Sequence, residues 1–364
     1  MARERIIIKI AIQKLRQILR DIIKFATYND SNIFKGSIFN TNLLSISIKF
    51  LTSVNKVSDL IAEAASRLEA LQTKVSDIQS SIKNDGQVIW DGDYILLDQA
   101  FIDGSWANST EVKANGDPLW EILYENHVYS TARALEALGI ANTQNTEVID
   151  RGVLFLDRFF QEFKLEEICD EVSKCVPIVQ GLSNITNIAS ENIQGVINKL
   201  LDTQLNFVLE QDGNLSNIHA QDVYYLIKLS RGGYLNPIEA EPLYRDIDSG
   251  VFRKVLKGIE YLSMFGVELP LEVNEILLRM LPKYFSNIFR IGDLRKGAIY
   301  YSSLVESVFN ILKYYPSKTI ANTVMSLLIE DTGWIARGDL NPVDIFRTII
   351  GSSLLVIARS AIRR

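Results

Sequence analysis

Two cysteines, two histidines and eight prolines are all that 364 residues contain, and each scarcity closes a class of protein. Cys169 and Cys175 cannot build a disulfide framework, and at their spacing they read as reduced packing residues. His127 and His219 lie far from both cysteines in sequence, so no zinc-ligand spacing is present and no metal or cofactor is expected. Eight prolines and 20 glycines are too few for the many turns of an all-β chain. There is no glycine-rich phosphate loop or nucleotide fingerprint, and no Gly-x-Ser-x-Gly elbow. Charges interrupt every apolar run near the N-terminus, so no export signal is read. The apolar stretch from Ile345 to Ile362 holds Arg347 and Arg359, which makes it a poor membrane span. The expectation is a cytoplasmic protein.

What is present is the composition of a folded chain, 47% hydrophobic and 23% charged, long enough for one large domain or two ordinary ones. The net charge of −6 is unevenly spread. Residues 1–26 carry seven bases (Arg3, Arg5, Lys9, Lys14, Arg16, Arg20, Lys24) against Glu4 and Asp21, and residues 337–364 carry five arginines against Asp339 and Asp344. A basic tip on an acidic body suits an anionic surface or an acidic partner. The acidic body argues against a nucleic-acid channel.

Residues 1–26 place Ile8, Ile12, Leu15, Leu19, Ile22 and Ala26 at helical spacing. Two uses fit such a helix: packing its apolar stripe on a neighbour, the more common one, or peripheral contact with an inner membrane surface. Further on, Phe50, Val54, Val57, Ile61, Ala64, Leu68, Leu71, Val75, Ile78 and Ile82 alternate steps of four and three. That heptad seam predicts a helix over 43–83, pairing with a second copy of the chain or folding back on 178–201. In the latter segment Pro177 is expected to start or kink a helix. Residues 1–86 thus read as a helical stalk or coiled-coil hairpin, and 87–364 as a second domain of shorter helices. Among these are 128–140, ended by Gly139, then 148–163, 222–229, 251–266, 272–285, 303–315 and 316–330. Only 88–97 looks strand-like.

Within that second domain one design recurs: an apolar helix, a polar residue with glycine, then a large apolar residue. It reads LLDQAFIDGSW (96–106), LNFVLEQDGNL (205–215), YFSNIFRIGDL (284–294) and MSLLIEDTGW (325–334). Recurring helix–turn–helix units imply stacked helical pairs, in a solenoid or a closed ring. Glycine permits the tight turn, aspartate closes it or caps the next helix, and the aromatic ring fills the gap between hairpins. Trp106 is therefore expected to be a structural plug rather than a catalytic group.

Gln99…Asp103-Gly104-Ser105-Trp106, then Tyr129-Ser130-Thr131…Ala134-Leu135…Ala137-Leu138, then Gly152…Phe155-Leu156 resemble the repeats of the terpenoid cyclase and protein prenyltransferase superfamily. The resemblance is carried by residues 96–160 and does not extend to 1–85. It implies an all-α fold in which helical hairpins close into an α/α toroid. Class II members of that group protonate their substrate with an Asp-x-Asp-Asp motif. The nearest approaches here are Asp246-Ile247-Asp248 and Asp91-Gly92-Asp93, which makes Asp248, Asp246 and Asp93 the candidate acids. The Asp-Asp-x-x-Asp magnesium motif of class I enzymes is missing, as is the Gly-Glu-Gln of thioester domains.

Aromatic residues crowd the second half, often as adjacent pairs. Tyr224, Tyr225, Tyr261, Tyr300 and Tyr301 are candidates to line an apolar cavity or a groove for a partner, against the plainer role of core and rim packing. The leading expectation is a binding or assembly protein that takes an apolar small molecule or a protein partner, self-associates through its heptad helix and binds no nucleic acid. A divergent class II cyclase and a membrane-surface effector using residues 1–26 are the alternatives.

Overall fold

A computed structural model describes residues 2–25, 37–52, 54–74, 103–106, 119–163, 175–211, 306–335 and 342–364, with short pieces between 223 and 282. Among the described residues all regular structure is helical and no strand occurs, so the fold is all-α. The strand-like stretch 88–97 lies outside them. The helices are α1 (Ala2–Phe25), α2 (Ser37–Leu51), α3 (Ser58–Ala70), α4 (Leu119–Ile140), α5 (Thr146–Glu162), α6 (Cys175–Ile185), α7 (Glu191–Gln211), α8 (Lys318–Glu330) and α9 (Pro342–Arg363). The chain divides into two compact units. One comprises Met1–Arg20, Ser53–Ser58 and Tyr234–Arg364, and the other comprises Asp21–Thr52 and Asp59–Gly233.

The continuous helix expected over 43–83 is instead two helices joined by a 3-10 turn at Asn55–Val57. No glycine or proline marks the break, and local side-chain chemistry supplies it. Thr52 Oγ1 donates back to the Ile48 carbonyl and Ser58 Oγ to that of Asn55 (3.1 Å). Such bonds compete with the helical ladder, and Thr, Ser, Val and Asn are indifferent helix formers. The seam survives the break, because Phe50, Val54, Val57, Ile61, Ala64 and Leu68 are all buried within the chain. Residues 75–83 lie outside the described region.

The Asp21–Gly233 part of the chain contains the clearest stacking. The sequential pairs α4/α5 and α6/α7 each pack together, and the pairs pack on one another, α4 on α6 and α5 on α7. These are stacked helical hairpins. The α2 helix also packs on α4, so α4 rather than the 178–201 segment is its main neighbour. An ion pair between half-buried Lys49 and buried Glu136 ties these two helices, Nζ to Oε1 at 2.6 Å. The α4–α6 approach is close enough that a Cβ on Gly181 would meet the Ala132 carbonyl oxygen at 2.4 Å. Pro177 occupies the first turn of α6, where its missing N–H has no intrahelical partner to lose.

The α4 helix begins at Leu119, ahead of the expected 128, and Gly139 lies within its last turn. It runs to Ile140 and closes on Asn142, which takes the left-handed conformation at φ 53°. Thr143 N–H then donates to the Leu138 carbonyl and Asn142 N–H to that of Gly139. This paired C-cap normally wants glycine, and asparagine is the side chain that tolerates it best. In α5 the periodicity holds: Val148, Ile149, Val153, Leu156 and Phe159 are buried, and the Asn145 side chain accepts from Val148 N–H as its N-cap.

In the other unit α8 and α9 form a packed helical pair. Ser317 caps α8, its hydroxyl accepting from Ile320 N–H. Among the described residues α9 is the one helix long and apolar enough to cross a membrane, and 72% of that stretch is buried inside the fold. The apolar stripe of α1 is also buried, from Ile7 and Ile8 through Leu15, Leu19 and Ile22 to Ile23.

Candidate functional site

The turn Asp103–Trp106 gathers more polar chemistry than any other described segment. Gly104 sits at φ 87°, open to glycine without strain. Its N–H donates to the Thr73 carbonyl (2.9 Å), and Thr73 N–H donates to the Ser105 carbonyl (2.8 Å). The buried Gln72 amide donates from Nε2 to the carbonyls of Gly104 (3.0 Å) and Val148 (2.8 Å), which ties the turn to the first turn of α5. Asp103 is held by arginines of α5: Arg151 Nη2 reaches its carboxylate at 2.7 Å, and Arg158 donates to its backbone carbonyl. The carboxylate expected to cap a helix or close the turn thus forms an ion pair with α5.

Trp106 is fully buried. Its ring lies against Gly152 of α5, where a Cβ would come within 2.8 Å of the Cζ3 carbon and 3.0 Å of Leu135 Cδ2. Its indole N–H donates to the Leu68 carbonyl of α3 at 2.7 Å, and its backbone N–H donates to Thr131 Oγ1 of α4 at 3.1 Å. One residue therefore pins three helices. Removing so large a buried side chain costs about 3–5 kcal/mol in typical cores.

Beneath the turn, Ser105 Oγ and His127 Nδ1 share a hydrogen bond of 2.9 Å, and both residues are fully buried. Burial pushes the His127 pKa down from 6.5 to about 4, so the ring is neutral at pH 7. A serine beside a histidine is the geometry of an activated nucleophile, yet this pair is inaccessible to substrate. Its other ring nitrogen, Nε2, is buried with no hydrogen-bond partner among the described residues, so no carboxylate orients the base. The pair holds the turn to α4.

A second junction of this design lies in the other unit. Trp334 is buried, its indole N–H donates to the Leu328 carbonyl of α8 (3.0 Å), and its own carbonyl accepts from Thr348 Oγ1 of α9 (3.0 Å). Its ring lies on Gly351, where a Cβ would come within 2.3 Å of Cε3. Asp331 Oδ1 closes the turn by accepting from Gly333 N–H at 2.8 Å. The ends of the two other expected turns, 212–215 and 284–294, lie outside the described residues.

Asp93, Asp246, Asp248, Tyr261, Tyr300, Tyr301, Gln99, Cys169 and His219 also lie outside the described residues. Tyr224 and Tyr225 are adjacent on a helical segment, with rings 5.5 Å apart in an edge-to-face pair. Tyr225 is a core residue, 2% exposed, and Tyr224 is half-buried with Lys228 Nζ 5.6 Å from its ring centre. Of the two, only Tyr224 presents a surface. Sequence reading missed the buried Glu260, whose oxygens accept from Ser307 Oγ (2.6 Å) and Asn310 Nδ2 (2.7 Å). It missed the Ser105–His127 pair as well. His127, Thr131 and Leu135 form one i, i+4 row on α4, and a polar start to an apolar row is the signal that could have exposed it. No group of three or more His, Cys, Asp or Glu able to hold a metal occurs among the described residues. Comparison of the chain with protein-family models, with curated proteins and with solved structures gives no match.

Proposed function

We propose that this chain is a binding or assembly protein built on a terpenoid cyclase-like stack of helical hairpins, with an apolar small molecule or a protein surface as its ligand. The observation that carries the reading is the commitment of the Asp103–Trp106 side chains to the fold. Ser105 and Trp106 are buried and bonded to helices, and the partly exposed Asp103 is paired with Arg151 of α5. Two tryptophan turns of one design, and hairpins stacked α4 on α6 and α5 on α7, support the toroid-like resemblance. Half-buried Tyr224 is the candidate ligand contact among the described residues. The heptad seam from Phe50 to Leu68 is buried within one chain, which leaves only its remainder, from Leu71 on, for pairing of two copies.

The test is incubation of the full chain with geranylgeranyl diphosphate and with squalene, together with equilibrium binding of a fluorescent prenyl analogue. Saturable binding weakened by Tyr224→Ala, with both substrates recovered unchanged, is the expected result. A cyclised product that Asp248→Asn or Asp93→Asn abolishes would overturn it in favour of a divergent class II cyclase. Absence of saturable binding would remove the apolar ligand and leave a protein surface.

A further inference from the structure

The apolar stripe of α1 is buried, and this leaves its opposite face as a feature the proposed function does not use. At 100° per residue, Arg3, Arg5, Ile6, Lys9, Ile10, Gln13, Gln17 and Arg20 fall on one side of the helix, and all are exposed. Ile6 and Ile10 are 58% and 47% exposed, two of the few large hydrophobic side chains so open to solvent. They are one turn apart near the middle of the basic face. Glu4, the single acid between residues 3 and 20, is half-buried and points by the same step toward the buried side.

We infer that this face of α1 docks on an anionic lipid bilayer, with Arg3, Arg5, Lys9 and Arg20 at the headgroups and Ile6 and Ile10 in the interfacial layer. Charge complementarity selects an anionic partner: these four bases, with the exposed Lys24 on the same side, stand on a chain whose net charge is −6. A basic helix face on an otherwise acidic chain is drawn to a negative surface. The two isoleucines select lipid among anionic partners. A hydrated nucleic acid or acidic peptide offers them no apolar layer, whereas a bilayer interface takes apolar side chains and cations together. This inference concerns a surface and a partner separate from the apolar-ligand reading, and it stands or falls without it.

The full-length protein is floated with phosphatidylcholine vesicles, with and without about one-third phosphatidylserine, at low and high salt. Binding is expected only with the anionic vesicles and is expected to fade as salt shortens the electrostatic range. The double variant R3E/K9E should bind at least about tenfold more weakly, since each base near an anionic surface is worth about 1 kcal/mol. I6S/I10S should bind about threefold to tenfold more weakly at unchanged charge. These side chains are exposed, so circular dichroism and the melting transition should match those of the parent. Should either variant misfold, the salt and lipid dependence of the parent decides. Equal binding to neutral vesicles, binding that persists at high salt, or full binding by R3E/K9E overturns the inference. It is also overturned if I6S/I10S binds as the parent does, or if an oligonucleotide or polyglutamate binds as tightly as the vesicles.

Discussion

Trp106 and Trp334 belong to different units, yet each donates its indole N–H to the carbonyl two residues before a helix ends, Leu68 in α3 and Leu328 in α8. Each ring lies on a glycine, and each backbone bonds to a threonine hydroxyl of a following helix. They differ in reach. Trp334 bonds a carbonyl six positions back and joins two sequential helices, whereas Trp106 bonds one 38 positions back and joins three. They also differ in polar support: Asp331 closes its own turn, while Asp103 is clamped by α5 and Ser105 by a buried histidine. One packing solution thus serves a local hairpin and a long-range junction. The long-range version carries the extra hydrogen bonds because ordering distant segments costs more chain entropy.

The largest expected effect comes from removing the plugs. Trp106→Ala and Trp334→Ala should each lose about 3–5 kcal/mol in urea denaturation, with Trp106→Ala the more costly. Hydrogen exchange should show loosened amides in α3, α4 and α5 for the former and in α8 and α9 for the latter. Equal losses, or loosening confined to one helix for Trp106→Ala, would break the distinction between local and long-range junctions.

Next comes acid. Because the folded-state pKa of His127 lies below its ordinary value, the unfolded chain takes up the proton first. The stability tied to the neutral ring is complete above pH 6.5, declines as pH falls toward about 4, and levels off below that. The full effect is about 3 kcal/mol. Denaturation of the parent and of His127→Gln across this range should show the slope only in the parent, with early loosening at the Trp106 junction.

Smaller effects follow from the seats. Gly152→Ala and Gly351→Ala should each cost about 1–3 kcal/mol. Gly351→Ala should be worse, since its Cβ would come within 2.3 Å of the ring against 2.8 Å at Gly152. Both are checked by thermal melts. Smallest is Asp103→Asn, which breaks a partly exposed ion pair with Arg151 and should cost about 1 kcal/mol or less.

Some of this was legible in the residues. The buried rows of α1 and α5 follow from spacing alone, and the turn-and-plug design at 103–106 and 331–334 was readable from the Asp, Gly and Trp residues. Other features were misread for definite reasons. A 4-3 apolar rhythm is satisfied by two helices and a 3-10 turn as well as by one long helix, so the break at Thr52–Ser58 left no mark on it. The helix ends at the expected Ile140, but Asn142 rather than Gly139 took the left-handed position that closes it. The Ser105–His127 pair and the Lys49–Glu136 ion pair join residues more than 20 positions apart, and spacing along a chain carries no information about such encounters.

By itself the sequence determined the helical class, the apolar faces, and the two turns where a tryptophan had to be buried, because these depend on local periodicity and on backbone freedom. Only the tertiary structure decided that α4 is packed on by both α2 and α6, that the heptad seam from Phe50 to Leu68 is buried within its own chain, and that Asp103 pairs with Arg151. A helix face specifies that it must be covered but not by what. The partner is chosen by the fit of side chains and close backbone approaches contributed by distant parts of the chain.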